Sequence, residues 1–302
     1  MKKYYQNKNV LITGGAGFIG SHIIEKLLEF HANITVLDNL SSGNIENIKP
    51  FLDQITFIED DIRSKEICIK ATKDVDVVFH LAALASVPES VKNPKLCNEI
   101  NIEGTKNLLE AGVENNVTNF VLSSSAAIYG NRDDTCYETD IPNPQSPYAE
   151  SKLEGERLCK KFAEKCGIST AVLRYFNVYG KRQNPNGDYA AVVAKFSEQL
   201  KEQEPITIFG TGKQTRDFIH VSKVVEANLT VGTQPNLKGE IFNIATGKSI
   251  FLFELIKQLE EELRLKNTGL IFKPERDGDI LNSKADGSKY QNFVCKIDTL
   301  SL

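Results

Sequence analysis

The sequence predicts an α/β protein, a doubly wound parallel sheet followed by a smaller α/β domain. Three observations predict it. Short runs that are apolar throughout recur along the first 180 residues, separated by stretches of helical length. Strands of that kind, with no polar face, belong to a parallel sheet covered by helices on both sides. The first run leads straight into a glycine-rich turn, and the second closes on an acidic residue, Asp38. After Gly180 the alternation lapses, and Gly and Pro separate shorter elements.

In chain order, Val10-Leu11-Ile12-Thr13 is the first strand, and residues 21–30 form an amphipathic helix beyond the turn. Ile34-Thr35-Val36-Leu37 is the second strand. Further strands are expected at 55–59, 75–81, 120–124 and 170–175, with helices that include 96–115 and 148–166. Lys181-Arg182-Gln183-Asn184-Pro185-Asn186-Gly187-Asp188 is a polar loop before a helix around 190–201. Then come a strand at 206–209, one at 217–221, a helix around 224–231, a strand at 241–245 and a helix at 253–265. The expected domains are 1–180 with about 217–246 for the sheet, and 181–216 with 247–302 for a substrate-binding unit.

A chain of 302 residues, 41% hydrophobic and 25% charged, is large enough for a substantial core and ordinary for a globular protein. Its formal charge of −4 gives no reason to expect nucleic acid or an anionic membrane as partner. Cys68, Cys97, Cys136, Cys159, Cys166 and Cys295 lie far apart with no Cys-x-x-Cys, which argues against zinc and a disulfide framework. The N-terminal lead has no signal-peptide core, and no run approaches the ~18 apolar residues of a membrane span. A cytoplasmic protein with no metal is expected.

The turn Gly14-Gly15-Ala16-Gly17-Phe18-Ile19-Gly20 satisfies both G-x-G-x-x-G and G-x-x-G-x-x-G. Any tight strand-to-helix turn favours glycine, so the motif alone is weak. Its context is the one a Rossmann-type dinucleotide site needs: strand before, helix after, and Asp38 about twenty residues on. The glycines let the backbone approach a pyrophosphate on the helix N-terminus. Asp38 would accept from the adenosine ribose hydroxyls and repel a 2′-phosphate, which favours NAD over NADP.

Ser146-Pro147-Tyr148-Ala149-Glu150-Ser151-Lys152 reads as a turn entering a helix, with Tyr148 and Lys152 one turn apart on the same face. Tyrosine titrates near ~10, and a general base working near neutrality needs roughly three units less, about 4 kcal/mol. One positive charge at about 4 Å, in an effective dielectric of about 20, supplies a term of that size. The spacing itself is common: Tyr4 and Lys8 share it in the polar lead. What gives the pair meaning is its company.

With Thr13 to Gly20, Tyr148 and Lys152, the chain resembles the extended short-chain dehydrogenase/reductase family, in particular its NAD-dependent nucleotide-sugar 4-epimerases and dehydratases. The resemblance extends through Asp60-Asp61-Ile62-Arg63, His80-Leu81-Ala82-Ala83, Asn101-Ile102-Glu103-Gly104-Thr105, Ser123-Ser124-Ser125-Ala126-Ala127-Ile128-Tyr129-Gly130 and Leu173-Arg174-Tyr175-Phe176-Asn177-Val178-Tyr179-Gly180. It implies a cofactor site of Gly14, Gly17, Phe18, Ile19, Gly20, Asp38, Asn39, Asp61, Ile62, Leu81, Ala82, Ala83, Ser123, Tyr148, Lys152 and Tyr175. It implies that Ser125, Tyr148 and Lys152 are catalytic, with the Ser125 hydroxyl on the sugar O4. Substrate contacts are implied for Ser86, Ser124, Ser125, Asn177, Ala191, Val192, Phe209, Arg216, Arg276, Asp279 and Ser283. Of these, Arg216 and Arg276 would reach the diphosphate, for which a planar five-donor cation is suited. His80 and His220 read as packing or scaffold residues.

Two features narrow the chemistry and one departs from the pattern. Ala126 and Ala127 stand where related dehydratases carry an Asp-Glu pair and decarboxylases a glutamate, so elimination and decarboxylation are disfavoured. Ser283 falls where these epimerases limit bulk beside the sugar C2, and a small side chain leaves room for an acetamido group. The expectation is 4-epimerisation of a UDP-hexose or UDP-N-acetylhexosamine by a homodimer built on the helices at 96–115 and 148–166. The alternatives are a UDP-glucuronate 4-epimerase, another nucleotide-sugar oxidoreductase, or a non-catalytic NAD-binding sensor. The chain stops soon after Asp286-Gly287-Ser288-Lys289, where relatives continue into a final helix, and that helix is expected to be missing.

Overall fold

The structure, a computed structural model, describes residues 1–185, 192–275 and 281–300. A single helical turn, Lys2–Tyr5 (α1), opens the chain, and Tyr5 is fully buried with its hydroxyl donating to the Leu229 carbonyl at 2.7 Å. Asn9–Thr13 (β1) shows why the strands are apolar throughout. Val10 and Ile12 enter the core on one side of the sheet and Leu11 the core on the other. The chain continues as Phe18–Glu29 (α2), Asn33–Leu37 (β2), Ile55–Ile58 (β3), Lys65–Ala71 (α3) and Val77–His80 (β4). Val87–Lys92 (α4) and Pro94–Asn98 (α5) follow. The helix expected at 96–115 is interrupted: a π-helical stretch, Glu99–Glu103, separates α5 from Gly104–Glu114 (α6).

Asn119–Ser125 (β5) leads through a loop to Pro147–Cys166 (α7) and Ser169–Tyr175 (β6). The start of α7 is set by its sequence. The Ser146 hydroxyl accepts from Ala149 N–H at 3.2 Å, and Pro147 occupies the first turn, where its missing N–H costs nothing. Gly167, in the left-handed region at φ 78°, ends it.

The second half contains Asn177–Tyr179 (β7), Val192–Lys201 (α8), Ile206–Phe209 (β8), Thr215–His220 (β9) and Val221–Gly232 (α9). It continues with Lys238–Ile244 (β10), Ser249–Phe251 (β11), Leu252–Leu263 (α10), Leu270–Lys273 (β12) and Ser288–Leu300 (α11). β10 returns to the large sheet as its edge strand, giving seven parallel strands in the order β10-β6-β5-β4-β1-β2-β3. The order reverses between β1 and β4, which opens a crevice beyond their carboxyl ends. Two small sheets, β11-β9-β7 and β12-β8, form with α8 and α10 a separate core around Phe196, Leu200, Ile208 and Leu255.

A helix does follow the Asp286-Gly287-Ser288-Lys289 segment, where the sequence reading expected none. Tyr290 and Phe293 of α11 pack on Phe242 of β10, with ring centroids 6.1 and 4.8 Å away. That aromatic contact with the large sheet is what holds it. Among the described residues no helix is long and apolar enough to cross a membrane, and no group of His, Cys, Asp and Glu could hold a metal ion.

Candidate active site

The crevice at the strand-order reversal is a cleft of about 680 Å³. The glycine turn forms its floor. Gly14 is in the left-handed region at φ 70°, and a Cβ there would lie 2.7 Å from the Ala82 nitrogen. A Cβ on Gly20 would lie 2.4 Å from the Gly14 carbonyl oxygen. Gly17 is the N-cap of α2, and no side chain caps that end, so the N-terminal N–H groups of the helix face the cleft as an anion-binding end. Asp38, at the end of β2, accepts from Ala16 N–H and Leu40 N–H, both at 2.9 Å. Burial raises its carboxyl and those two bonds pull it back.

Asp61 lines the cleft beyond Asp38. Its carboxylate accepts from Asn39 Nδ2 at 2.8 Å and from Arg63, whose pairing outweighs burial and lowers the carboxyl from its ordinary value. Phe18, Ile19, Ile62, Leu81, Ala82, Ala83, Ser123 and Tyr175 line the same cleft, so all the expected cofactor residues meet in one place. Uncapped helix end, glycine floor and strand-end carboxylate are the donor and acceptor set that NAD needs.

Tyr148 and Lys152 enter this cleft from the first turns of α7, and Ser125 from the end of β5. The Ser125 hydroxyl accepts from Ala127 N–H at 3.1 Å and lines the cleft beside Tyr148. Lys152 is 8% exposed; its Nζ donates to the Ser123 carbonyl at 2.8 Å and lies 5.9 Å from the Tyr148 ring centroid. Burial lowers the ammonium to about 8, against the pull of Cys97 and Glu156. The four-residue spacing predicts that Lys152 lowers the phenol. The protein alone does the reverse: burial raises Tyr148, the Ser125 hydroxyl only offsets part of this, and the Cys97 thiol adds to it. The ammonium is turned to the Ser123 carbonyl, so its charge is shared with a strand end.

Several supporting residues were not singled out as site residues by sequence reasoning. Asn101, in the π-helical stretch, accepts from Leu84 N–H at 2.8 Å and donates to the Leu84 carbonyl at 3.0 Å and the Ser151 hydroxyl at 2.9 Å. It thereby ties the cleft wall to the residue preceding Lys152. His80 bridges the Thr13 and Thr105 hydroxyls at 2.7 and 2.8 Å, and burial with the nearby Lys152 charge lowers it to about 3, so it is a neutral scaffold residue. Ser41, Ser42, Gly43, Leu84 and Phe176 also line the cleft. All follow strand ends, which is the signal that could have found them.

The expected substrate residues divide. Asn177 Nδ2 donates to the Asp217 carbonyl at 3.0 Å and to the Ser283 hydroxyl at 3.2 Å, so these two come together. Arg216 lies on β9 with Nη1 on the Thr215 and Leu281 carbonyls at 2.9 and 3.3 Å. Val192 opens α8 and Phe209 closes β8, both half-buried. Ser86 caps α4 at the cleft wall.

Ser124 also lines the cleft, but its side chain is placed differently from its neighbours'. Side chains alternate along a strand, so Ser123 and Ser125 are half-buried towards the cleft. Ser124 is 3% exposed, and its hydroxyl donates to Glu156 Oε1 at 2.5 Å on the other face. Ala191, Arg276 and Asp279 lie outside the described residues. Ala126 and Ala127 form a 3₁₀ turn directly after Ser125 and bring no acid or base. A larger cavity of about 1090 Å³ opens between α8, α10 and the small sheet, away from the Tyr148 chemistry.

Residues 10–245 match the NAD dependent epimerase/dehydratase family. A UDP-glucose 4-epimerase of Mycolicibacterium smegmatis is 35% identical over 296 residues, covering 94% of this chain and 91% of that one. The solved UDP-N-acetylglucosamine 4-epimerase of Methanobrevibacter ruminantium, in complex with UDP-N-acetylmuramic acid, is 39% identical with a TM-score of 0.89 over 95% of this chain and 91% of that one. The UDP-glucose 4-epimerase of Thermotoga maritima, solved with UDP-glucose, is 40% identical with a TM-score of 0.88 over 94% and 91%.

Proposed function

The chain belongs to the NAD-dependent epimerase/dehydratase family, and from that premise we propose that it interconverts the C4 epimers of a UDP-hexose or UDP-N-acetylhexosamine through a transient 4-keto sugar. The observation that carries this reading is the convergence of Ser125, Tyr148 and Lys152 in the cleft, with Ala126 and Ala127 next to them where a dehydratase needs an acid and a base. NAD, when bound, supplies the acceptor and donor of the C4 hydride, and its oxidised ring brings a positive charge beside the phenol.

Tyr148 takes the proton of the C4 hydroxyl and returns it. Ser125, beside Tyr148 in the cleft, would donate its one hydroxyl proton to the same sugar oxygen. The Ser123 carbonyl fixes Lys152 beside Tyr148, where its ammonium, together with the charge of the oxidised cofactor, would favour the phenolate that burial alone disfavours. Arg216 is assigned to the diphosphate, where a forked cation suits phosphate oxygens, and Asn177 to the lining of the nucleotide and sugar. Ser283 sits against Asn177 with a side chain small enough to leave room for a C2 acetamido group. A homodimer belongs to the same reading: Val91 on α4, beside α7, is 61% exposed and apolar.

Proton NMR of the purified protein with UDP-N-acetylglucosamine and UDP-glucose, incubated separately without added cofactor, tests this. Formation of the galacto epimers of both is the expected result. Conversion of UDP-glucose alone would remove the Ser283 argument and keep the chemistry. Conversion of neither, with NAD bound, would overturn the reading and make UDP-glucuronate the next substrate to try.

A further inference from the structure

The strand end that carries Ser125 is fastened from behind by a buried ion pair that the chemistry above does not use. Ser124 donates to Glu156 Oε1 at 2.5 Å. Glu156 lies one turn beyond Lys152 on α7 and accepts from Arg174 Nε at 2.9 Å and Nη2 at 2.7 Å. Arg174, directly opposite Ser124 on β6, donates through Nη1 to the Tyr129 hydroxyl at 2.8 Å. That hydroxyl donates in turn to Asn243 Oδ1 on β10 at 2.6 Å. The Arg174 and Glu156 side chains are 2% and 4% exposed.

A buried ion pair is a weak source of net stability, because the cost of desolvating two charges offsets most of their attraction. Its closed set of partners does impose one geometry on the elements it joins. The residue it grips is Ser124, and the two neighbours of Ser124 carry the reacting geometry. The Ser123 carbonyl holds Lys152 at 2.8 Å, and Ser125 faces the cleft beside Tyr148. On the helix side, Glu156 and Lys152 are four residues apart, so the network closes a ring from α7 through β5 and back to α7.

We propose that the Glu156–Arg174 pair, acting through Ser124, is a positioning device that holds the end of β5 against α7 so that Ser123, Ser125 and Lys152 keep the spacing proton abstraction needs. It touches no substrate and works only through these residues. The proposal rests on the reading of Ser125, Tyr148 and Lys152 as the reacting groups. Around Lys152 stand Cys97 of α5, Tyr148 and Glu156 of α7, and the neutral His80 of β4, with Arg174 of β6 behind Glu156.

Two variants separate positioning from simple structure. Ser124→Ala removes the link to the strand and leaves both charges paired. It should lower kcat about tenfold at unchanged KM and NAD content, since a small misplacement of reacting groups costs rate rather than binding. The alkaline limb of its pH profile should stay in place. Glu156→Gln should lower kcat further and move that limb to lower pH, because the charge that favours protonated Lys152 is gone and Arg174 is left uncompensated. If Glu156→Gln does not fold, Ser124→Ala still decides.

Wild-type kcat in folded, NAD-loaded Ser124→Ala would overturn the proposal, as would a raised KM with kcat kept, which would make Ser124 a substrate contact. If the unmodified protein turns over no UDP-sugar, the functional reading fails separately. Ultraviolet titration of the Tyr148 phenol, by difference from Tyr148→Phe, then decides. A midpoint displaced by Ser124→Ala supports positioning, and an unmoved midpoint overturns it.

Discussion

In the sheet half, the cleft residues sit where β1, β2, β4, β5 and β6 end, and each strand end is fixed by neighbours on both sides and a core above and below. In the second half, the candidate residues sit on elements of three to six residues: Asn177 opens β7, Phe209 closes β8 and Arg216 is the second residue of β9. The two-stranded sheet there has an edge, β12, exposed at every position. A ligand group held by the first kind of scaffold meets preset geometry; one held by the second meets side chains whose placement depends on long-range pairings. The proposed function therefore builds its chemistry on the sheet and its selectivity on the smaller unit.

Substitutions in the two halves should fail in different ways. Tyr148→Phe carries the largest expected effect, because it removes the proton acceptor and leaves the cleft intact. Loss of about 10³-fold or more in kcat is expected, within the range general-base removal produces, with NAD content unchanged. Turnover near the unmodified rate, measured by the same NMR assay, would dissolve the distinction between the halves.

Ser283→Tyr tests the second half. A bulky ring beside Asn177 should cost about 10- to 100-fold in kcat/KM for UDP-N-acetylglucosamine, as expected when a pocket loses room for a group of a few heavy atoms, and leave UDP-glucose within a few-fold. Equal losses on both substrates would show that Ser283 is a packing residue and that selectivity lies elsewhere.

Gly20→Ala sharpens the comparison from the sheet side. The added Cβ would fall 2.4 Å from the Gly14 carbonyl oxygen and 2.7 Å from the Gly15 Cα, both backbone atoms that cannot swing away. Overpacking of this kind costs about 1–3 kcal/mol. A lowered Tm with loss of co-purifying NAD is expected. A variant that keeps both would mean that the glycine floor adapts, unlike the rest of the strand-end scaffold.

How much was legible follows the same division. Continuous apolar runs and the glycine turn specify the parallel sheet, its reversal point and the residues above it, because these follow from local sequence and one topological rule. The side of the strand on which Ser124 lies was also readable, since a period of two places Ser123 and Ser125 together and Ser124 opposite. Two things were not. The partner of Lys152 is a carbonyl on another element, which no spacing within α7 encodes. The helix α11 depends on contact of Tyr290 and Phe293 with a strand some fifty residues earlier in the chain.

That carbonyl partner leads to the smallest predicted effect. In the proposed chemistry Lys152 would favour the Tyr148 phenolate only while it carries its proton, and burial has brought its proton loss down from the ordinary lysine value to about 8. On the lysine's account kcat should therefore fall as the pH rises through that value, to about half when the lysine is half protonated. Stability responds to the same group with the opposite sign. Between about 8 and the ordinary lysine value near ~10.4 the unfolded chain holds this proton more fully than the folded one, so raising the pH there favours the folded state through Lys152. Loss of rate without loss of Tm across that window is the signature of the buried lysine. A parallel fall of both would assign the alkaline limb to unfolding. An absent limb would show that the bound cofactor and substrate reset the lysine, so that the sheet half is less rigid electrostatically than its geometry implies.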